Sequence, residues 1–253
     1  MSDDCCCARR PARSAHQVMP DRTGAASTTA AVHRARMQTW PPTLPPCAPT
    51  LDGVNTPERR VAVLIPVKAF DAAKARLADV LSPSERIRLA RSMAAAVVAA
   101  AGSLPVHVVC DHDEVASWAR SAGAQVISRP GRGLNGAVTD GVDQLAELGF
   151  DLVVVAHADL PHARSFDTVV TLAGASEPPA VVIVPDRHHD GTNVICVPTG
   201  VGFTFSYGPG SAHRHGQEAR RLGLPLRILE DARLGWDVDR PEDLDAPDWS
   251  SEP

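Results

Sequence analysis

"VAVLIPVKAFDAAKARLADVLSPSER", residues 61–86, joins a hydrophobic run to a helix start through a short basic segment. The run is apolar and rich in β-branched residues, which is typical of a strand that is buried on both faces. At the other end, Ser82 can cap a helix, Pro83 suits its first turn, and Glu85 completes a capping box. A buried strand followed by a helix predicts an α/β fold with a parallel sheet.

The same alternation continues along the chain. Six further short apolar runs predict strands: 106–110, 124–128, 151–161, 180–186, 192–197 and 224–229. The first helix should end at Gly102, and further helices are predicted over 113–122, 134–148, 163–173 and 211–222. Together these elements predict a single doubly wound, mostly parallel sheet within a domain of residues 59–246.

The two ends of the chain differ from this domain in composition. Residues 1–58 mix Pro, Ala, Thr, Ser and Arg without apolar periodicity, which predicts a disordered N-terminal extension. Residues 247–253 are predicted to form a C-terminal tail. Three of the six cysteines are consecutive, at 5–7, and the others are scattered, so no zinc-site spacing results.

Charge and composition exclude several classes of partner. The net charge of −5 and the aromatic content of 4% match neither the basic surface nor the stacking residues of a nucleic-acid binder. The chain has no apolar run long enough to cross a membrane and no signal-peptide pattern, so we expect a cytoplasmic protein with no membrane partner. The oligomeric state stays open.

Cations follow the first predicted strand. Lys68 and Lys74 are the only two lysines among 25 lysines and arginines, and Arg76 lies beside them. Ligands of open α/β sheets bind beyond the carboxyl ends of the strands, where this segment lies. A lysine is a compact charge suited to a polyphosphate, and an arginine can hold phosphate oxygens at two points. The segment predicts a phosphate site, with an ordinary solvated basic loop as the alternative.

Carboxylates occupy two other predicted strand ends. Asp159 follows the fourth apolar run, and Asp237 and Asp239 lie in "WDVDRPEDL" near the end of the domain. Because Mg²⁺ prefers one or two carboxylates plus substrate oxygens, Asp159 and one of this pair could hold a magnesium ion between them. The alternative is helix capping, by Asp159 before the next helix and by Asp239 ahead of Pro241.

Glycine-containing segments complete the set of candidate ligand contacts. "PGRGLNGA", residues 130–137, feeds a helix, and "YGPGSAHRHG", residues 207–216, brings Ser211 to another helix start where free N–H groups would suit an anion. The P-loop pattern G-x-x-x-x-G-K-[ST] is absent from the sequence. No nucleophile elbow or partnered cysteine is present either, so the chemistry should depend on positioning and charge neutralisation.

Six motifs occur in an order that resembles a known enzyme family. They are "IPVKAFDAAKARLADVLSPSER", "GRGLNGAVTDGV", "VVVAHADLP", "DGTN", "FSYGPGSAHRH" and "DVDRPEDL". The chain resembles, over about residues 61–246, the 2-phospho-L-lactate or phosphoenolpyruvate guanylyltransferases of coenzyme F420 biosynthesis. The resemblance implies a nucleotidyltransferase fold related to GT-A glycosyltransferases, GTP as donor, Mg²⁺ as cofactor and a phosphorylated three-carbon acid as acceptor.

The resemblance also implies roles for individual residues. Lys68, Lys74 and Arg76 would be catalytic, and Asp159, Asp237 and Asp239 would be the metal ligands. The remaining implied contacts are Pro66, Lys68, Arg76, Gly133 and Asn135 for the nucleotide, and Thr192, Gly208 and Ser211 for the acceptor.

Several alternatives stay open beside this interpretation. Phosphoenolpyruvate is the favoured acceptor, and 2-phospho-L-lactate and 3-phosphoglycerate are the alternatives. Rival functions are CMP transfer to a sugar or molybdopterin-type acceptor, glycosyl transfer, and a catalytically silent nucleotide-binding regulator. His157 departs from the family pattern, because a small residue is expected there, and it should crowd the floor of the metal site.

Overall fold

The computed structural model describes residues 59–247 of the 253-residue chain. The predicted disordered extension, residues 1–58, lies outside the described residues, as does the predicted tail beyond residue 247. Both therefore stay predictions, together with the domain boundaries that depend on them.

The described residues contain seven strands and five α-helices. The strands are β1 (Val61–Pro66), β2 (Val106–Cys110), β3 (Gln125–Ser128), β4 (Leu152–Ala156), β5 (Val181–Pro185), β6 (Thr192–Pro198) and β7 (Leu226–Ile228). The helices are α1 (Pro83–Ala100), α2 (Asp113–Ser121), α3 (Gly133–Glu147), α4 (Asp167–Gly174) and α5 (Ser211–Arg221). Short 3₁₀ helices span Phe70–Ala72, Ala75–Leu77 and Pro241–Leu244.

The strands form one mixed sheet in the order β3-β2-β1-β4-β6-β5-β7. β1 pairs in parallel with β2 and β4, β2 with β3, and β5 with β7. β6 is antiparallel to both of its neighbours, β4 and β5. The prediction of an α/β fold with a mostly parallel sheet is confirmed, and β6 is the one reversed strand within residues 59–247.

Helices cover both faces of the sheet. Along β1, Val63 and Ile65 pack into a core with α1, α2 and α4, whereas Leu64 packs on the opposite face with α3 and α5. Each strand side chain in the centre is therefore covered, which explains why the strand sequences are apolar throughout. The carboxyl ends of β1, β2 and β4 are left open at one edge of the sheet.

Two helix starts show how local sequence sets the element bounds. At α1, the Ser82 hydroxyl accepts the Glu85 N–H and the Glu85 carboxylate accepts the Ser82 N–H, so the predicted capping box is confirmed. The predicted start of α4 at residue 163 is wrong, because the helix begins at Asp167. The N-cap residue is Phe166, and just before it the Ser165 hydroxyl accepts the Asp167 N–H at 3.0 Å in a local turn.

Within residues 59–247, no helix combines the length and the apolar character that crossing a bilayer requires.

Candidate active site

A cavity of about 500 Å³ opens at the carboxyl ends of β1, β2 and β4. Parallel strands bring their carboxyl ends to the same edge, so segments far apart in the chain meet here. Seven of the predicted site residues line this cavity: Pro66, Lys68, Lys74, Arg76, Gly133, Asp159 and Asp239. The cavity thus unites the predicted cations with two of the predicted carboxylates.

Lys74 bridges the two acidic segments. Its Nζ lies 2.7 Å from Asp159 Oδ2 and 3.1 Å from Asp239 Oδ1, and its side chain is only 9% exposed. The backbone at Lys74 is left-handed, with φ of 56°, which turns the side chain inward from its loop. Lys74 was predicted as a free phosphate-binding cation, and the structure instead places it between carboxylates predicted to hold metal.

Charge pairing within this bridge alters the titration of both partners. Burial alone would lower the pKa of Lys74, but the Asp159 and Asp239 carboxylates outweigh it and hold that pKa above its ordinary value. Burial would likewise raise the pKa of Asp159, and the nearby Lys74 and His157 charges outweigh it and hold the pKa low. The bridge is therefore an ionised pair at neutral pH.

Asp159 has spare capacity for a cation. Its Oδ1 is buried and has no hydrogen-bond partner among the described residues, while Oδ2 receives Lys74. Burial and then the Asp159 and Asp239 charges raise the pKa of Asp237, whose Oδ1 also accepts the Asn193 side-chain N–H at 3.4 Å. An unpartnered carboxylate oxygen beside mutually repelling carboxylates fits a divalent cation.

This carboxylate set is not a self-sufficient metal cage. Within residues 59–247, no group of three or more His, Cys, Asp and Glu side chains is arranged to hold a metal ion by itself. Mg²⁺ commonly takes only one or two carboxylates and completes its shell with water and substrate phosphates. The arrangement therefore fits an ion that arrives with a nucleotide better than a resident structural metal.

Two other cations face the cavity from the same loop. Lys68 is exposed and forms no ion pair with any residue in 59–247. Arg76 is 70% exposed, and its Nη1 lies 3.4 Å from Asp239 Oδ2, a weak contact at the solvent boundary. Both side chains are free to turn toward an anion in the cavity.

The last acidic segment is held by Asp243, which the sequence analysis did not single out. Its buried carboxylate accepts the N–H groups of Asp239 and Arg240, each at 2.7 Å, and also pairs with Arg187. The predicted cap by Asp239 is therefore wrong, because the carboxylate of Asp243 reaches back to fill that role. Asp239 is left free to bind Lys74. The S-x-x-E-like spacing in "DRPED" pairs Asp239 with Glu242, so it gave no signal for Asp243.

The predicted acceptor residues lie together, apart from the cavity lining. Ser211 Oγ donates to Thr192 Oγ1 at 3.3 Å, and Ser211 N donates to Gly208 O at 3.0 Å. Thr192 is 2% exposed and Ser211 1%. Gly208 has φ of 116°, a conformation that favours glycine, so this turn can form before α5.

Two of the backbone N–H groups expected to be free at the start of α5 are already used. The Ser211 N–H is used by Gly208 O, and the Ala212 N–H donates to Asp190 O at 3.1 Å. Any anion in this region must therefore be held by side chains rather than by these two amides.

Asn135 and Gly133 begin the helix beside the cavity. Gly133 starts α3 with φ of 62° and lines the cavity. Asn135 lies outside the cavity lining, and its Oδ1 accepts the Tyr207 N–H at 2.7 Å. Asn135 thus ties α3 to the segment before α5, which is a structural contact in addition to the predicted nucleotide role.

His157 and Tyr207 connect the cavity to the acceptor residues. Their ring centroids lie 4.9 Å apart, and Tyr207 lies at the same distance from the ring of His215. His157 lines the cavity, and both His157 Nε2 and the Tyr207 hydroxyl are buried without a hydrogen-bond partner among the described residues. His157 was expected only to crowd the floor, and it is also an unpaired polar group there.

Asp111 and Arg129 also line the cavity and were missed from sequence. Asp111 follows β2 directly, at the same sheet edge as Lys68, and forms no ion pair within residues 59–247. Its position one residue beyond a buried strand was the available signal. Arg129 donates to Gln144 Oε1 at 2.7 Å, and its Nε lies 3.6 Å from Asp140 Oδ2. The charge of Arg129 is therefore partly neutralised by Asp140.

The fold is that of the nucleotidyltransferases. A nucleotidyl transferase from Methanothermobacter superposes with a TM-score of 0.54 at 17% identity, covering 73% of this chain and 94% of that one. A protein from Desulfovibrio desulfuricans assigned as a nucleotide-diphospho-sugar transferase gives a TM-score of 0.59 at 18% identity, covering 74% and 85%. At this identity the likeness shows the shared architecture.

Sequence comparison specifies the family within that class. The chain belongs to the guanylyl transferase CofC-like family, which matches residues 61–246. It is 37% identical over 187 residues to the phosphoenolpyruvate guanylyltransferase of Rubrobacter xylanophilus, covering 73% of this chain and 91% of the relative. It is 33% identical over 192 residues to the 2-phospho-L-lactate guanylyltransferase of Methanothermobacter thermautotrophicus, covering 73% and 82%.

Proposed function

We propose that this protein transfers GMP from GTP to phosphoenolpyruvate, giving enolpyruvoyl-2-diphospho-5′-guanosine and pyrophosphate for coenzyme F420 biosynthesis. Family membership and the names of its relatives support guanylyl transfer. The observation that carries the proposal is one cavity lined by Lys68, Lys74, Asp159 and Asp239, which suits a triphosphate and its metal ion.

The reaction needs positioning more than proton transfer. An oxygen of the acceptor phosphate attacks the α-phosphorus of GTP and forms the new P–O bond. The bond from the α-phosphorus to the bridging oxygen breaks, and its electron pair leaves with pyrophosphate. Because a phosphate monoester is already ionised near neutral pH, no general base is required.

Lys68 and Arg76 are assigned to the triphosphate. Both are exposed at the cavity, and Lys68 has no competing carboxylate within residues 59–247. A mobile ammonium can follow the charge that develops on the departing pyrophosphate, and a guanidinium can hold two phosphate oxygens. Lys74 is assigned a different role, because its charge already holds the Asp159 and Asp239 segments together.

Mg²⁺ is the proposed cofactor. Asp159, through its unpartnered Oδ1, and Asp237 or Asp239 would hold it. When bound, the ion would neutralise charge on the nucleotide phosphates. Lys74 keeps these carboxylate segments adjacent before nucleotide arrives.

Asp111 is the proposed contact for the guanine base. A carboxylate can accept hydrogen bonds from both N1–H and the exocyclic amino group of guanine, whereas adenine offers no such pair of donors on that edge. Asp111 is the cavity carboxylate that Lys74 does not occupy. Replacing it as Asp111→Asn should reduce the preference for GTP over ATP, which a comparison of kcat/KM for the two nucleotides would measure.

The acceptor assignment rests on the relatives' names. Phosphoenolpyruvate is favoured because the relatives from Rubrobacter xylanophilus and Sphaerobacter thermophilus carry that name, and 2-phospho-L-lactate is the alternative named for Methanothermobacter thermautotrophicus. 3-Phosphoglycerate shares the phosphate and the carboxylate and belongs in the same assay. The predicted contacts are Thr192, Gly208 and Ser211.

Pyrophosphate release by the purified protein with Mg²⁺ and GTP tests the proposal. We expect release that depends on phosphoenolpyruvate, is absent with ATP or CTP, and is abolished in Asp159→Asn. Release with CTP alone would indicate cytidylyl transfer. GTP binding without release for any of the three acceptors would indicate a silent nucleotide-binding regulator. The cytoplasmic location stays a prediction.

A further inference from the structure

His215 lies in a fully enclosed position behind the predicted acceptor residues. It is 0% exposed on α5, and the aromatic rings of Phe205 and Tyr207 pack against its ring. The Ser206 N–H donates to His215 Nε2 at 2.9 Å, and His215 Nδ1 lies 3.1 Å from Thr192 Oγ1. Both ring nitrogens therefore have hydrogen-bond partners within the protein.

These two contacts determine which nitrogen carries the proton. A backbone N–H can only donate, so Nε2 must present its lone pair to Ser206. Burial, and then the nearby Arg214 and His157 charges, lower the pKa of His215 to about 4, so the ring is neutral at neutral pH. A neutral ring with an unprotonated Nε2 carries its proton on Nδ1 and donates it to Thr192 Oγ1.

This proton placement leaves one of the two hydroxyl protons of Thr192 and Ser211 without an acceptor. Thr192 and Ser211 have two O–H protons, and one of them forms the 3.3 Å hydrogen bond between their oxygens. Since His215 donates into the pair, the other proton has no acceptor in this chain of contacts. With the opposite tautomer, Thr192 would donate to Nδ1, Ser211 would donate to Thr192, and both protons would be used.

We infer that His215 is a positioning residue that makes the Thr192–Ser211 pair a hydrogen-bond donor to the anionic group of the acceptor. The inference rests on the proposed function, because it takes the acceptor to be a phosphorylated acid bound at this pair. His215 itself does not touch the acceptor. It acts by keeping the Thr192 oxygen an acceptor toward the ring, which leaves the remaining hydroxyl proton available to a ligand.

The surroundings of the pair favour an anion over a neutral group. The Tyr207 hydroxyl and His157 Nε2 are both buried without hydrogen-bond partners among residues 59–247. Burial raises the pKa of Tyr207, so its hydroxyl keeps its proton and can donate. An enclosed hydroxyl donor without a partner beside this pair is suited to a carboxylate or phosphate oxygen.

The first test reads the tautomer directly and does not depend on activity. Protein labelled with ¹⁵N at histidine would be examined by NMR near neutral pH, with His215→Asn used to assign the His215 signals. We expect a pyridine-like Nε2 and a protonated Nδ1. A protonated Nε2, or a doubly protonated ring, would overturn the inference whatever the enzyme does.

The second test separates positioning from simple structural support. In His215→Asn, the side-chain amide can still donate from the place of Nδ1, whereas His215→Gln places its amide near the position of Nε2. We expect His215→Gln to raise the KM for phosphoenolpyruvate about five- to tenfold, the effect of one lost hydrogen bond, with the KM for GTP unchanged. His215→Asn should restore most of this loss. His213→Gln, the same change at an exposed position on α5, is the matched control.

Coupling to Thr192 completes the test. Thr192→Val should raise the KM for phosphoenolpyruvate in the wild-type background but add little in His215→Gln, because both changes remove the same donor. Additive effects, or equal losses in His215→Asn and His215→Gln, would show a structural role only and overturn the inference. Failure of the wild-type protein to use any acceptor would instead overturn the proposed function, while the NMR result still decides the tautomer.

Discussion

At the scale of single residues, the two lysines of the first loop have different environments. Lys68 is exposed at the cavity, whereas Lys74 is largely enclosed between Asp159 and Asp239. The rarity of lysine in the sequence was enough to mark both as candidate phosphate-site residues. Their difference could not be predicted, because it depends on the left-handed backbone at Lys74 and on carboxylates 85 and 165 positions away along the chain.

Lys68→Ala should reduce kcat/KM for GTP by about 100-fold, as expected for the loss of a charge that acts in the transition state. The melting temperature should stay unchanged, because the side chain is exposed and forms no ion pair within residues 59–247. Steady-state kinetics and thermal unfolding measure the two effects. Arg220→Ala, an exposed cation on α5, is the control, and near-normal turnover in Lys68→Ala would remove Lys68 from the phosphate site.

Lys74→Met should behave differently, because it leaves two carboxylates adjacent without their shared cation. We expect a lower melting temperature than wild type, by the equivalent of about 1–3 kcal/mol after allowing for the partial exposure of both carboxylates. Added Mg²⁺ should then raise the melting temperature of Lys74→Met more than that of wild type. An equal response to Mg²⁺ in both proteins would argue against a cation site at Asp159.

At the scale of elements, the sequence pattern was sufficient to predict the strands and helix α1. The central strands were recognisable because burial on both faces makes them continuous apolar runs rich in β-branched residues. Helix α1 was recognisable because its capping box is local. The direction of β6 was not recognisable, since an apolar run has the same composition in either orientation. The role of Asp243 was missed because it depends on Arg187, in another segment, as well as on its own turn.

Mutation of Asp243 tests the turn that carries Asp239. Asp243→Ala should destabilise the protein by about 2 kcal/mol or more, because a buried acceptor of two backbone N–H groups is lost. It should also weaken Mg²⁺-dependent activity, since the same turn carries Asp239. Thermal unfolding and a Mg²⁺ titration of activity would measure both, with the exposed neighbour change Glu242→Ala as control. Loss of stability without any change in the Mg²⁺ dependence of activity would show that this turn does not support the metal site.

At the scale of the whole molecule, the sheet brings four distant segments to one edge. The segments after β1, β2 and β4 and the one around Asp239 share a cavity, while Thr192, Gly208 and Ser211 form a second group reached through His157 and Tyr207. The sequence selected seven members of the first group and all three of the second, but it missed Asp111 and Arg129. It could not predict that the Thr192 and Ser211 hydroxyls are enclosed and that Thr192 contacts His215.

The stability of the whole protein should depend on the titration of His215. Unfolded, this residue binds a proton below about pH 6.5, and folded only below about pH 4, so acid favours unfolding between these values. The contribution of this site is on the order of 3 kcal/mol across the window. Denaturant unfolding from pH 7 to pH 4 should show a steeper loss in wild type than in His215→Asn. Parallel curves would mean that Glu218, which raises the pKa of His215, offsets more of the lowering by burial, Arg214 and His157 than expected.

Removal of residues 1–56 should leave both activity and melting temperature nearly unchanged. The family match begins at residue 61, and β1 starts there too. Comparison of the shortened and full chains in the pyrophosphate assay and in thermal unfolding would measure this. A large loss of either property would assign the first segment a part in the function.

The most direct measurement of the central claim is ³¹P NMR of the reaction of GTP, Mg²⁺ and phosphoenolpyruvate with the full-length protein. We predict loss of the phosphoenolpyruvate and GTP signals, appearance of free pyrophosphate, and a new pair of coupled diphosphate signals from the joined acceptor and α-phosphates. Unchanged phosphoenolpyruvate, with GTP intact or hydrolysed to GDP and phosphate, would contradict guanylyl transfer to this acceptor.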